Sequence, residues 1–126
     1  MKTTNGEIYV TKDSLQKLVD VEDMPIKYGF KVLKLVKKLN DEIVIIEQGR
    51  SLLISKYGKE IDDKGVKKMG VGPLDENFPE LVNEMNEMMA IEVELDAEKA
   101  KVPDNVSMSV KDIAALEPFI EMIEVK

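Results

Sequence analysis

Residues 25–57, PIKYGFKVLKLVKKLNDEIVIIEQGRSLLISKY, decide how the rest of the chain is read. No proline follows Pro25 in this stretch, and Val32, Val36, Leu39, Ile43, Ile46, Arg50, Leu53 and Tyr57 alternate steps of four and three. Seven of those eight positions are apolar or aromatic, which is the seam spacing of a coiled coil or helical hairpin. The run Ile43-Val44-Ile45-Ile46 alone has the composition of a buried strand, but the seam continues on both sides of it, so the spacing predicts one long helix. Gly29 and Gly49 are unfavourable in a helix interior and mark the expected kinks. Gly58 is expected to end the helix in a left-handed conformation.

Such a helix would be about 50 Å long, whereas a compact globule of this chain length is roughly 36 Å across. Three outcomes follow: a break at Gly29 or Gly49, cover from the chain's own short helices, or self-association of two copies along Val32, Val36, Leu39, Ile43, Ile46, Arg50 and Leu53.

Upstream, Glu7–Val10 reads as a short extended segment. A helix then begins after Thr11 or Asp13 and carries Leu15, Leu18 and Val19 on its apolar face. Asp23 is placed to cap the long helix, with Pro25 in the first turn where a missing N–H does no harm. Downstream, Asp62-Asp63-Lys64-Gly65 is a turn signal, and Val66–Val71 is a strand bounded by Gly70, Gly72 and Pro73. Asn77 and Glu80 form a capping-box pattern ahead of a helix over residues 78–90. Residues 91–95 alternate as a half-buried strand, and residues 106–110 do so weakly. Ser109 with Asp112 caps a last short helix, broken at Pro118. The expected fold is a single α+β domain, mainly helical, with a small antiparallel sheet from the 60–72 and 91–110 regions.

The composition narrows function by subtraction. The 126 residues are 44% hydrophobic and 34% charged, with net charge −7 and no Cys, His or Trp. Disulfide frameworks, Cys/His zinc sites, thiol nucleophiles and histidine acid–base chemistry are thereby excluded. No phosphate-binding loop, dinucleotide turn or serine elbow is present. Asp62 and Asp63 share residue types with a calcium loop but lack its ligand spacing. No apolar run is long enough to cross a bilayer, and no signal-peptide core opens the chain. No enzymatic activity, cofactor, metal or membrane partner is therefore expected.

Charge is segregated along the chain. Residues 24–69 carry eleven basic and six acidic side chains, and residues 70–126 carry four and fourteen. Lys27, Lys31, Lys34 and Lys38 fall on one helical stripe, with Lys37 beside it. As a phosphate-tracking surface the stripe would bind nucleic acid in a salt-dependent way. As the solvated back of an amphipathic helix it would complement acidic groups of its own or a neighbouring chain. The second reading is favoured, because Arg50 is the only arginine and the overall acidity of the chain opposes DNA. On the acidic side, Glu80, Glu84 and Glu87, with Glu92, Glu94, Asp96 and Glu98, form an array that could mimic DNA phosphates or simply be solvated. Arg50 interrupts the apolar seam. It is expected to pair with Glu47 or a partner's acidic group, or to hold an anionic ligand. The methionines Met85, Met88, Met89 and Met122 read as core filler, with an adaptable partner groove as the alternative.

Three stretches carry a resemblance: Asn5-Gly6-Glu7-Ile8, Arg50-Ser51-Leu52-Leu53-Ile54-Ser55-Lys56-Tyr57-Gly58 and Leu116-Glu117-Pro118-Phe119-Ile120-Glu121. Together they resemble small phage-encoded proteins of unknown function, built as a long helix, a polar hairpin, a second helix and a short C-terminal helix after a strand. The resemblance implies a viral or prophage origin and carries no catalytic residue. The expected function is a non-enzymatic interaction protein that acts as a homo-oligomer on a host or viral protein, in the host cytoplasm or in the virion. The alternatives are an acidic inhibitor of a nucleic-acid or defence enzyme, a virion assembly component, and a protein that sequesters a small ligand.

Overall fold

The apolar face of residues 26–57 has to be covered, and its cover organises the molecule. In the computed structural model the chain forms β1 (Lys2–Thr4), α1 (Asn5–Val10), α2 (Lys12–Val19), α3 (Ile26–Tyr57), β2 (Lys59–Asp63), β3 (Val66–Gly70), α4 (Phe78–Met89), β4 (Glu92–Glu94), β5 (Ala100–Pro103), α5 (Val110–Leu116) and β6 (Ile120–Ile123). The structure describes every residue except 64, 71, 73, 74, 125 and 126, with backbone alone for 59–63 and 66–69. Lys64, Val71 and Pro73 of the expected turn and strand lie outside the described residues. The fold is α+β and mainly helical, as expected.

The long helix is unbroken over 32 residues. Val32, Leu35, Val36, Leu39, Ile43 and Ile46 are its buried side chains. They meet Ile8 of α1, Leu15 and Leu18 of α2, and Leu95, Val102, Leu116, Phe119 and Ile120 from the C-terminal third in one core. Each such burial contributes roughly 1.5–3 kcal/mol. The seam is therefore covered within the chain, and Val32, Val36, Leu39, Ile43 and Ile46 have no free face left for a second copy. The helix runs through Gly29 and Gly49 without interruption. A Cβ at Gly49 would lie 2.6 Å from the Met88 sulfur, so this glycine lets α4 approach α3 closely.

Several local expectations are corrected. Glu7–Val10 is helical rather than extended: the Glu7 N–H donates to Thr4 Oγ1 at 3.1 Å, capping α1, and Ile8 turns into the core. α3 starts from Pro25, whose carbonyl accepts from the Tyr28 and Gly29 N–H groups at 3.0 Å, so Asp23 is not its cap. Gly58 leaves the helix extended (φ −82°, ψ 163°) rather than left-handed. A side chain there would collide with the Ile54 carbonyl oxygen, which is the steric reason for the glycine. Asn77 makes no side-chain cap on α4. Ser109 does cap α5, accepting from the Asp112 N–H.

The strands form three two-stranded pairs. β1 pairs antiparallel with β4, and β2 with β3 as a hairpin turning at Gly65 (φ +81°). The hairpin does not join the 91–110 region. Instead β5 pairs in parallel with β6, from Ala100↔Ile120 to Pro103↔Ile123. A parallel pair needs a crossover of a dozen or more residues, and residues 104–119, containing α5, supply it. Val106, read as strand, lies in this connection and is buried.

One polar tie reaches the core. Asp112 is 4% exposed and joins α5 to α2: Ser109 Oγ and Ser14 Oγ donate to its carboxylate at 2.7 and 2.8 Å, and Lys17 Nζ stands 3.4 Å away. These donors, Ser109 foremost and then Ser14, hold the carboxyl below its ordinary 3.8, with Lys17 adding to the effect and burial opposing it.

Two outcomes are expected. Leu39→Ala, at a fully buried position, should cost about 2–5 kcal/mol in chemical denaturation. Asp112→Asn should lower the melting temperature. A carboxyl whose pKa is depressed on folding stabilises above its unfolded value and loses that contribution as pH falls through the folded one. The gap between wild type and variant, followed by thermal melts, should thus be full at neutral pH and shrink below pH 3.8.

Candidate functional site

The helical stripe of lysines becomes part of a cleft once the C-terminal half packs on α3. Lys31, Lys34, Leu35 and Lys38 of the helix face residues 97–101, that is Ala97, Glu98, Lys99, Ala100 and Lys101, across a cavity of about 320 Å³. The placement has a simple cause: β5 packs on α3, burying Ala100 and Val102 in the core and leaving Lys99 and Lys101 exposed. Five ammonium groups thus surround one carboxylate, Glu98. Among the described residues none of the five makes an ion pair; the pairs present are Lys12–Glu47, Lys17–Asp112, Lys56–Glu84 and the Met1 amine with Glu94. Lys38 Nζ donates to the Asp96 carbonyl, and Lys34 Nζ sits 4.9 Å from the centre of the Phe30 ring.

Lys31, Lys34 and Lys38 of the expected stripe are brought together here. Lys27 is not: it lies over Tyr28 at 5.0 Å, outside the cleft. Lys99 and Lys101 were missed in the sequence, where they sit inside the most acidic block. Their only signal is the alternation of Lys99-Ala100-Lys101-Val102, which turns two lysines out as two apolar side chains turn in.

Arg50 does not pair with Glu47. Its Nη1 donates to Tyr9 Oη at 2.6 Å, with the guanidinium 5.3 Å from the Tyr9 ring centre. Glu47 is taken by Lys12 of α2, whose pKa is raised chiefly by that hydrogen bond. Arg50 therefore ties α3 to α1.

The acidic array is only partly free. Glu80, Glu84 and Glu87 share one side of α4 by their spacing, but Lys56 of α3 holds Glu84 at 3.0 Å. That hydrogen bond, with a smaller one from Tyr57, lowers the Glu84 pKa. Glu92 and Glu94 are exposed on β4. Among the described residues, no group of three or more acidic side chains is placed to hold a metal ion, and no helix is long and apolar enough to cross a membrane. Met88, Met89 and Met122 pack against the core, and Met85 is half-buried.

The other distinctive surface is the outer side of α3, away from the core. Val44, Ile45 and Leu52 are 54%, 60% and 71% exposed. Val44 and Leu52 line a shallow groove with Glu47, Gln48, Ser51 and Ser55. Beyond Leu52 a second groove runs between α3 and α4, over Leu53, Met88 and Ile91.

No known protein family, curated protein or solved structure matches this chain.

If Arg50 and Tyr9 act as a structural pair, Tyr9→Phe and Arg50→Met should be non-additive. Equilibrium unfolding of the two single variants and the double variant should give a coupling of about 0.5–1.5 kcal/mol.

Proposed function

We propose that this chain is a non-enzymatic interaction protein that acts as a homo-oligomer on another protein. The observation that carries the reading is the cluster of Val44, Ile45 and Leu52 on the outer side of α3. Singly scattered apolar side chains need no explanation, whereas a grouped set along a groove supports a contact surface. A second copy suits it well. Two α3 helices crossing antiparallel about a twofold axis at Gln48 would set Val44 of each opposite Leu52 of the other. Ser51 and Ser55 are small enough to let the backbones approach. Such a contact is self-complementary, as a closed dimer requires. The polar Gln48 at its centre would fix the register.

This contact replaces the Val32–Leu53 seam as the site of self-association. On the phage resemblance, the protein acted on is a host or viral one, met in the host cytoplasm or in the virion. A second reading, charge mimicry by an inhibitor of a nucleic-acid or defence enzyme, draws support from Glu80, Glu87 and Glu92. These are exposed and free of ion pairs among the described residues. The Lys56–Glu84 pair weighs against it by neutralising the middle of the array.

Light scattering after gel filtration, over a range of protein concentrations, tests the first reading. A dimer or larger assembly is expected, and Val44→Glu combined with Leu52→Glu should yield a monomer with an unchanged helical circular-dichroism spectrum. A wild-type monomer at every concentration would overturn the homo-oligomer.

A further inference from the structure

The lysine cleft lies around Lys31 to Lys38, toward the other end of α3 from Val44 and Leu52, and it presents its own chemistry. The chain carries net charge −7, yet five of its cations converge on one concavity whose only carboxylate is Glu98. Lys31, Lys34 and Lys38 stand three and four residues apart, a spacing at which like charges on a helix repel. Lys99 and Lys101 arrive on the facing segment and add to that repulsion. Among the described residues no acidic side chain forms an ion pair with any of the five. An arrangement that works against itself in the empty protein is relieved when several negative charges enter together.

The lining states what kind of anion fits. No arginine is present, so nothing offers the planar two-pronged grip that selects a single carboxylate or phosphate orientation. Among the described residues no hydroxyl or amide side chain and no aromatic ring lines the cavity, so they offer neither directed hydrogen bonding to a base nor a surface on which bases stack. What remains is five ammonium point charges, Lys38 donating to the Asp96 carbonyl and Lys34 beside Phe30, above a small apolar floor of Leu35, Ala97 and Ala100. The volume, about 320 Å³, is at the lower end for small-ligand sites. We propose that this cleft binds a compact polyphosphate: a ligand bearing two or more linked phosphoryl groups, recognised through charge density. Each phosphoryl group presents several equivalent oxygens, which suits flexible ammonium groups that approach from two sides.

The chemistry is shared by free polyphosphate and by the phosphate tail of a nucleotide, and titration calorimetry distinguishes them. Tripolyphosphate, adenosine triphosphate and inorganic monophosphate are titrated at low salt and at about 0.15 M salt. Tripolyphosphate is expected to bind more tightly than monophosphate and to weaken as salt rises. Equal affinity for the nucleotide assigns recognition to the phosphates alone. Tighter nucleotide binding overturns recognition through charge density alone. Lys34→Glu with Lys101→Glu should reduce tripolyphosphate affinity on the order of tenfold or more, and Lys31→Gln with Lys99→Gln should reduce it less. Lys27→Glu with Lys37→Glu, outside the cleft, should leave it close to wild type. Circular dichroism confirms that each variant is folded. The proposal is overturned by no detectable tripolyphosphate binding, by equal losses in the cleft and control variants, or by lysine-dependent binding of an acidic peptide or single-stranded RNA alone.

Discussion

Everything in this molecule depends on covering one side of α3. The helix is 32 residues long, about 48 Å at the usual rise, and its apolar face is too long for any one neighbour. α1, α2, α4 and β5 divide the task, with Leu39 fully buried near the middle of the seam. The N-terminal segment and the C-terminal third thereby come to lie on the same helix, although they are far apart in sequence. A core built in this way couples distant parts of the chain, so a cavity near Leu39 is felt by both.

Polar groups then set how the covering pieces sit. Asp112 gathers two serine hydroxyls and a lysine from α2 and from its own helix start, which orients α5 against α2. Arg50 and Tyr9 do the same between α3 and α1, with Lys12 and Glu47 alongside. A buried carboxylate is tolerable only when its oxygens are satisfied. Among the described residues no buried side-chain nitrogen or oxygen lacks a partner. The surfaces left after this packing divide into an apolar outer side of α3, a lysine-lined cleft, and an acidic side whose Glu84 is already engaged.

The sequence was legible where structure is local. The helix over residues 26–57 followed from spacing, the Ser109 cap from residue types, and the strand beginning at Val66 from its bounding turn residues, whereas its partner strand over Lys59–Asp63 was not read. It was less legible where two conformations suit the same residues. Glu7-Ile8-Tyr9-Val10 has strand composition, but Thr4 caps it as a helix and Ile8 is needed in the core. Asn77 and Asp23 are good capping residues that the packed backbone does not use. Of the five lysines of the candidate site, Lys31, Lys34 and Lys38 were legible as part of a helical stripe, and Lys99 and Lys101 were not.

The sequence by itself determined the long helix, its apolar face, the absence of Cys and His chemistry, and the division of charge between the two halves. These depend on residue type and on spacings of three and four, which act within a turn or two of backbone. Only the tertiary structure decided that the seam is covered from within, that β5 runs parallel to β6, and that Lys99 and Lys101 face Lys31, Lys34 and Lys38. Those outcomes depend on which apolar surfaces meet across separations that run from about twenty residues, for β5 with β6, to some sixty or more, for β5 with α3. At that range shape and burial choose the partners, and no local pattern encodes them.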